Sequence, residues 1–221
     1  MTELTLWPDQ FDFRRDETCQ NHFKPFIQNE LRLLKEYDGL RPADTNYIFH
    51  QHAPRVAVNV KKTCLSLGLG DVVAENMYWA ALPHDLGKRK LPVHLWDMKD
   101  KPEDDIKALR RTHTDVGTKM IADAFQDIEH PFKDLLLDIV ANHHEQMDGG
   151  GFRGLSADEI SMPVRLVAVV EAYDGYSIHR PHFGDRDISP KGVIKRMKEE
   201  KAAHYDPDML EAFASVVLEE K

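Results

Sequence analysis

Apolar residues along this chain recur at helical spacing, and no stretch of the main body alternates as a half-buried strand would. In "FKPFIQNELRLLKEY" the residues Phe26, Leu31, Leu33 and Leu34 form a roughly helical stripe, which predicts a first helix. A second is expected to run to about Leu67, with Val56, Val60, Cys64 and Leu67 on one side, and a third over about 71–82. A fourth is predicted after Pro102, carrying Ile106, Leu109, His113, Val116 and Met120 on one face. A fifth, about 132–144, places Leu135, Leu136, Ile139, Val140 and His143 inward, and "PVRLVAVVEAY" is a sixth that is apolar on nearly every side. Ser189-Pro190 and Asp206-Pro207 each pair a polar cap with proline at the first helical position, so two more helices follow. Residues 1–15 read as an irregular or strand-like arm. The predicted fold is all-α, one helical bundle with a short N-terminal extension.

Composition narrows the setting. A chain of 221 residues, 42% hydrophobic and 30% charged, suits one core and a solvated surface. Its formal net charge of -9 disfavours nucleic-acid polymers and anionic membranes. A phosphate-bearing substrate would need metal ions or a few placed bases. Cys19 and Cys64 lie far apart without a CxxC, which fits a reducing cytoplasm rather than a disulfide framework. No signal-like segment or membrane-length apolar run is visible.

Five places set a ligand-type side chain on or beside an apolar face: His52, "HDLGK" at 84–88, His113, His143-His144 and Glu171. Each has an ordinary reading. Glu171 would pair with a base such as Arg165; His113 would be a hydrogen-bonded core histidine; "HDLGK" would be a helix end. One metal site explains all five together. His84 and Asp85 can reach one ion, and an aspartate can bridge two. Lys88, one turn on, can meet an anion held there. "DGGG" at 148–151 is expected to end the fifth helix just after its histidines and keep the site open. Asp148 reads as an Asx-turn residue rather than a ligand. Imidazoles and carboxylates without thiolates favour iron or manganese, with nickel, zinc or magnesium as alternatives. The donors exceed what one tetrahedral ion uses, so two divalent ions are expected.

In order and spacing these segments resemble the HD-GYP family, a branch of the HD metal-dependent phosphohydrolases. "HAPRVA" (52–57) is similar to its first-ligand helix and "AALPHDLGK" (80–88) to the HD signature. "THTDVG" (112–117) resembles the next ligand segment, and "NHHEQMDGGGFRGL" (142–155) the segment that names the family. "RLVAVVEAYDGYSIHRP" resembles its last ligand helix and "HYDPDMLEAF" its C-terminal helix. The resemblance places the family domain at 45–221, with 1–44 as arm and helix. It implies one ion held by His52, His84, Asp85 and Glu171, and a second by His113, His143 and His144 with Asp85 bridging. It implies hydrolysis of a cyclic dinucleotide, cyclic di-GMP to pGpG or GMP, by a hydroxide between the ions. Asp85 and Lys88 would be catalytic, and Lys88, Arg153 and Arg180 would meet the substrate.

Departures are visible. Glu171 stands where the family has aspartate, one methylene shorter. The GYP triplet reads Gly151-Phe152-Arg153. Ile48 occupies the place of a third-metal glutamate, which argues for two ions. His182 and Phe183 follow Arg180-Pro181, so one phosphate contact is expected to be missing. Pro83 and Pro54 are expected to kink their helices beside His84 and His52. Two other functions fit the residues: another nucleotide or phosphomonoester hydrolase of the HD superfamily, and a metal-holding cyclic-dinucleotide-binding module without turnover. A homodimer is left open.

Overall fold

A computed structural model describes residues 7–98, 100–179 and 184–219. The helices are α1 (Lys24–Asp38), α2 (Phe49–Ser66), α3 (Gly70–Ala81), α4 (Asp104–Arg111), α5 (His113–Ala124), α6 (Pro131–Asn142), α7 (Met162–Tyr176), α8 (Pro190–Glu200) and α9 (Pro207–Glu219). No strand occurs among the described residues. α2 is the central element: it packs on α1, α3, α7 and α9, while α5 and α6 close the side facing the turn after α3. One core runs through the bundle, with Val56, Val60, Met77, Leu136, Ile139, Val167, Val170 and Phe213 buried in it.

The local chemistry follows the caps. Ser161 and Ser189 accept from Val164 and Gly192 at the starts of α7 and α8. Asp206 accepts from the amides of Asp208 and Met209 at the start of α9. These caps satisfy donors that a helix start leaves unpaired. Gly68 and Gly70, at φ 72° and 82°, turn the chain between α2 and α3, a conformation that side chains with a Cβ resist.

The arm is irregular where it is described. Its backbone is pinned by buried Asn76 of α3, which accepts from the Phe13 amide at 2.9 Å and donates to the carbonyls of Pro8 and Phe11 at 2.7 Å each. Phe13 stacks on Trp79 and meets Phe132 edge-on. The buried face of α1 is Ile27, Glu30, Leu34 and Tyr37, one register from the expected stripe. Glu30 is tolerated there because Arg89 grips its carboxylate at 2.6 and 2.8 Å.

Three expectations are corrected. The fourth helix is two helices, broken at Thr112, and Leu109 is exposed rather than inward. The amide and hydroxyl of Thr112 both go to the Leu109 carbonyl, closing a tighter turn, and the Arg110 carbonyl accepts from the His113 ring. The break turns His113 into the core. Pro83 does not kink a helix, because α3 ends at Ala81 and the proline lies in the turn beyond it; α2 continues through Pro54.

Candidate metal centre

Five histidines and one aspartate come together from four places. His52 is on the first turns of α2; His84 and Asp85 lie in the turn after α3; His113 opens α5; His143 and His144 follow the end of α6. Asp85 is fully buried at the centre. Its Oδ2 lies 3.5 Å from Nε2 of both His52 and His84. Its Oδ1 lies 3.3 Å from Nε2 of His113 and 3.6 Å from Nε2 of His143. Two groups of donors result, each within ligating reach of one point: His52, His84 and Asp85; and Asp85, His113, His143 and His144. The aspartate is common to both.

The histidine tautomers decide what this arrangement can hold. Nδ1 of His84 meets the Ala81 carbonyl at 2.8 Å, and Nδ1 of His113 the Arg110 carbonyl at 2.7 Å. Nδ1 of His143 meets the carbonyls of Ile139 and Val140, and Nδ1 of His52 meets an Asp174 carboxylate oxygen at 2.6 Å. Carbonyls and carboxylates only accept, so each ring carries a proton on Nδ1 and turns Nε2 towards the centre. Burial holds His84 well below, and His113 below, the usual imidazole range, which keeps both rings neutral. Yet Nε2 of His52 faces Nε2 of His84 at 3.1 Å, and Nε2 of His113 faces that of His143 at 3.4 Å. Two ring nitrogens at that spacing need a proton or a metal cation between them, and four of them surround one carboxylate. Asp85 Oδ1 is likewise buried without a hydrogen-bond donor. Burial would raise the Asp85 carboxyl, but the Lys88 ammonium beside it holds it well below the usual carboxylate range, so it stays charged. Neutral imidazole lone pairs converging on a carboxylate fit divalent transition ions.

Close packing places these groups. A Cβ on Gly87 would lie 2.0 Å from the His113 carbonyl oxygen, and one on Gly117 would lie 2.8 Å from Val140. These two glycines let the turn after α3, α5 and α6 approach closely enough for Asp85 to reach both histidine pairs. The glycines at 149–151 have a different task from the one expected. α6 already ends at Asn142, seven residues before Gly149. A Cβ on Gly151 would lie 2.6 Å from buried Glu145. The Glu145 carboxylate accepts from the amides of Arg153 and Leu155, tying the loop down. Asp148 makes the Asx turn, accepting from the Gly150 amide.

A cavity of about 660 Å³ opens beside the centre. Lys88, His113, His144, Phe152 and Glu171 line its inner part. The Lys88 ammonium, 5% exposed as a residue, lies 2.5 Å from Asp85 Oδ2 and faces the rings of Phe49, Tyr47 and Trp96 at 4.8, 5.5 and 5.6 Å. Glu171 stands outside both donor groups, with Oε2 3.8 Å from Nδ1 of His144. Arg165, its alternative partner, pairs with Asp206 instead. Arg153 points away from this cavity, pairing with Asp115 and donating to the Ala141 carbonyl; Phe152 takes the lip, stacked on His144 at 4.4 Å. Arg180, His182 and Phe183 lie outside the described residues.

Two residues were missed by the sequence reading. Asp174 holds the His52 ring and is itself gripped by Arg55 at 2.7 and 2.8 Å. The available signal was spacing: Arg55 follows His52 by three, and Asp174 follows Glu171 by three, so each lies on the same helix face as its neighbour.

Comparison with known proteins gives the family and the fold. The family described as HD domain matches residues 42–209. A cyclic di-GMP phosphodiesterase of Pseudomonas aeruginosa is 30% identical over 169 residues, 76% of this chain and 39% of its own length. A cyclic di-GMP phosphodiesterase of Thermotoga maritima is 24% identical over 94% of this chain and 55% of its own length. A 3'3'-cGAMP-specific phosphodiesterase of Vibrio cholerae is 26% identical over 66% of this chain and 33% of its own length. The chain therefore spans from about a third to about half of these relatives. A solved HDG"Y"P protein from Bdellovibrio bacteriovorus shares the fold, with a TM-score of 0.63 and 15% identity over 94% of this chain and 65% of that one.

Proposed function

Because the chain belongs to the HD-domain family, we propose that it is a metal-dependent phosphodiesterase acting on a cyclic dinucleotide. The observation that supports this most is the facing Nε2 atoms on either side of Asp85. In this reading His52, His84 and Asp85 hold one divalent ion, and His113, His143, His144 and Asp85 the other. Glu171, on the cavity side and nearest His144, is the further carboxylate proposed as a ligand. Iron or manganese are the preferred ions on donor type, with nickel, zinc or magnesium as alternatives. When bound, such ions lower the pKa of water and offset charge on a phosphoryl group.

The chain's own residues supply the rest. Asp85 brings one buried negative charge that both ions share. Lys88 has an ammonium held at the inner wall of the cavity, where an entering phosphate meets it; its three aromatic neighbours exclude water around it. Arg180 is the second base proposed for the phosphate, and Arg153 acts on the loop that carries Phe152. A cavity of about 660 Å³ is of a size that takes a nucleotide-sized ligand. The relatives named as cyclic di-GMP and 3'3'-cGAMP phosphodiesterases support the substrate class. The two unbridged, buried cysteines fit a cytoplasmic setting, and no described helix is long and apolar enough to cross a membrane.

The test is a substrate panel on iron- or manganese-loaded protein, with products separated by chromatography. Cyclic di-GMP or cyclic GMP-AMP should yield linear product, and Asp85→Asn should abolish both metal content and turnover. Turnover of phosphomonoesters alone would move the protein to another HD hydrolase class. Tight binding without product would make it a binding module.

A further inference from the structure

Three bases of α4 line the outer part of the cavity: Lys107, Arg110 and Arg111. Two are already committed. Lys107 pairs with Asp104 at 2.7 Å, and Arg110 donates to the Leu95 carbonyl and lies over Trp96. Arg111 differs. It is exposed, and its guanidinium makes no hydrogen bond or ion pair to a described residue. It lies over the Phe152 ring, 5.0 Å away, and its charge is also felt by Asp104 on the same helix. Phe152 in turn stacks on His144. The order across the cavity wall is therefore guanidinium, phenyl ring, candidate metal ligand.

A guanidinium over an aromatic ring keeps its N–H groups free for a planar bidentate acceptor such as a phosphodiester. In this series of contacts Phe152 stands between the guanidinium and His144, so the guanidinium is offered to a group other than the phosphate at Asp85 and its histidines. A cyclic dinucleotide carries a second phosphodiester on the opposite side of its ring, which a mononucleotide lacks. Resting on the phosphodiesterase reading of the centre, we propose that Arg111 binds the second phosphodiester of the cyclic dinucleotide, with Phe152 as the surface that holds it in place. Arg111 then sets specificity for two-phosphate rings over single phosphates. It also supplies a cation on α4, on a chain whose segment after Arg180-Pro181 continues with His182 and Phe183.

The experiment is calorimetric binding of the phosphorothioate analogue of cyclic di-GMP, and of GMP, to manganese-loaded protein. Arg111→Ala should weaken the analogue about tenfold, the loss expected for a charge-assisted hydrogen-bond pair, and change GMP less than twofold. Arg111→Lys should recover part of the loss, because it restores charge without the fork. Lys119→Ala, which removes the same charge from α5 outside the cavity, should bind as wild type does. Equal melting temperatures for all variants would show that folding is unaffected. If Arg111→Ala binds the analogue as tightly as wild type, Arg111 has no such role and the phosphodiesterase reading stands. If it weakens GMP equally, the second-phosphate assignment is overturned. If wild-type protein fails to bind the analogue, both proposals fall.

Discussion

At the scale of single residues, the centre depends on which nitrogen each histidine presents. The Nδ1 of His52 bonds to a side chain, Asp174, where those of His84, His113 and His143 meet carbonyls. Removing that carboxylate frees the ring to turn and leaves Arg55 unpaired. Asp174→Ala should therefore weaken one ion by about 10- to 100-fold, the usual effect of losing a partner that orients a ligand. The ion held by His113, His143 and His144 should be retained. Metal titration followed by elemental analysis separates the two sites, and loss of both ions together would contradict this division. Glu171 poses a different question, because it pairs with no arginine among the described residues and is 13% exposed at its side chain. If it completes a metal set, Glu171→Ala should lower metal content while the metal-free protein melts near wild type. Unchanged stoichiometry would remove Glu171 from the ligands.

At the scale of elements, the site exists because irregular pieces are locked onto helices. The clearest lock outside the centre joins the arm to α6. Asp16 accepts from the Cys19 amide at 2.8 Å and faces Nε2 of His130 at 3.2 Å. His130 accepts from the Phe132 amide through Nδ1, so its proton is on Nε2 and points to Asp16. Burial would raise the Asp16 carboxyl, but the Cys19 amide and His130 hold it below the usual carboxylate range. The depressed value means that its contribution is present above the ordinary carboxylate range and is lost as pH falls through the folded-state value. Asp16→Asn should cost about 1 kcal/mol at neutral pH. In denaturant titrations that difference should shrink as pH falls through the lowered folded-state value and vanish once both proteins carry a neutral group. A difference that persists at low pH would assign the effect to packing instead.

At the scale of the whole molecule, the ligands come from α2, the turn after α3, α5 and the end of α6, so filling the centre crosslinks most of the bundle. Binding to the folded state alone stabilises by mass action, about 2.7 kcal/mol at a free metal concentration 100-fold above Kd. In a chain of this size that is roughly 5 to 10 °C in melting temperature. Calorimetry with and without a chelator should show such a drop, reversed by added manganese or iron. A melting temperature indifferent to both would argue against ions that bridge the helices.

Much of this was decided in the sequence. Period-3.6 apolar spacing determines helices because only one face of each can be buried, and polar caps before prolines mark where α8 and α9 begin. The donor side chains that the fold brings together were also visible as types, because unpaired histidines and acids on apolar faces are costly without a common partner. Other features depend on particular contacts that the spacing of apolar residues does not report. The break at Thr112 arises where His113 takes the Arg110 carbonyl for its own ring. The hold of Asp174 and Arg55 on His52 spans more than a hundred residues. The Gly151 contact with Glu145, the outward turn of Arg153 and the stack of Arg111 on Phe152 are set by how a loop folds back on α5 and α6. Periodicity reports which face of a helix is buried; which side chains meet there is decided only when the helices pack.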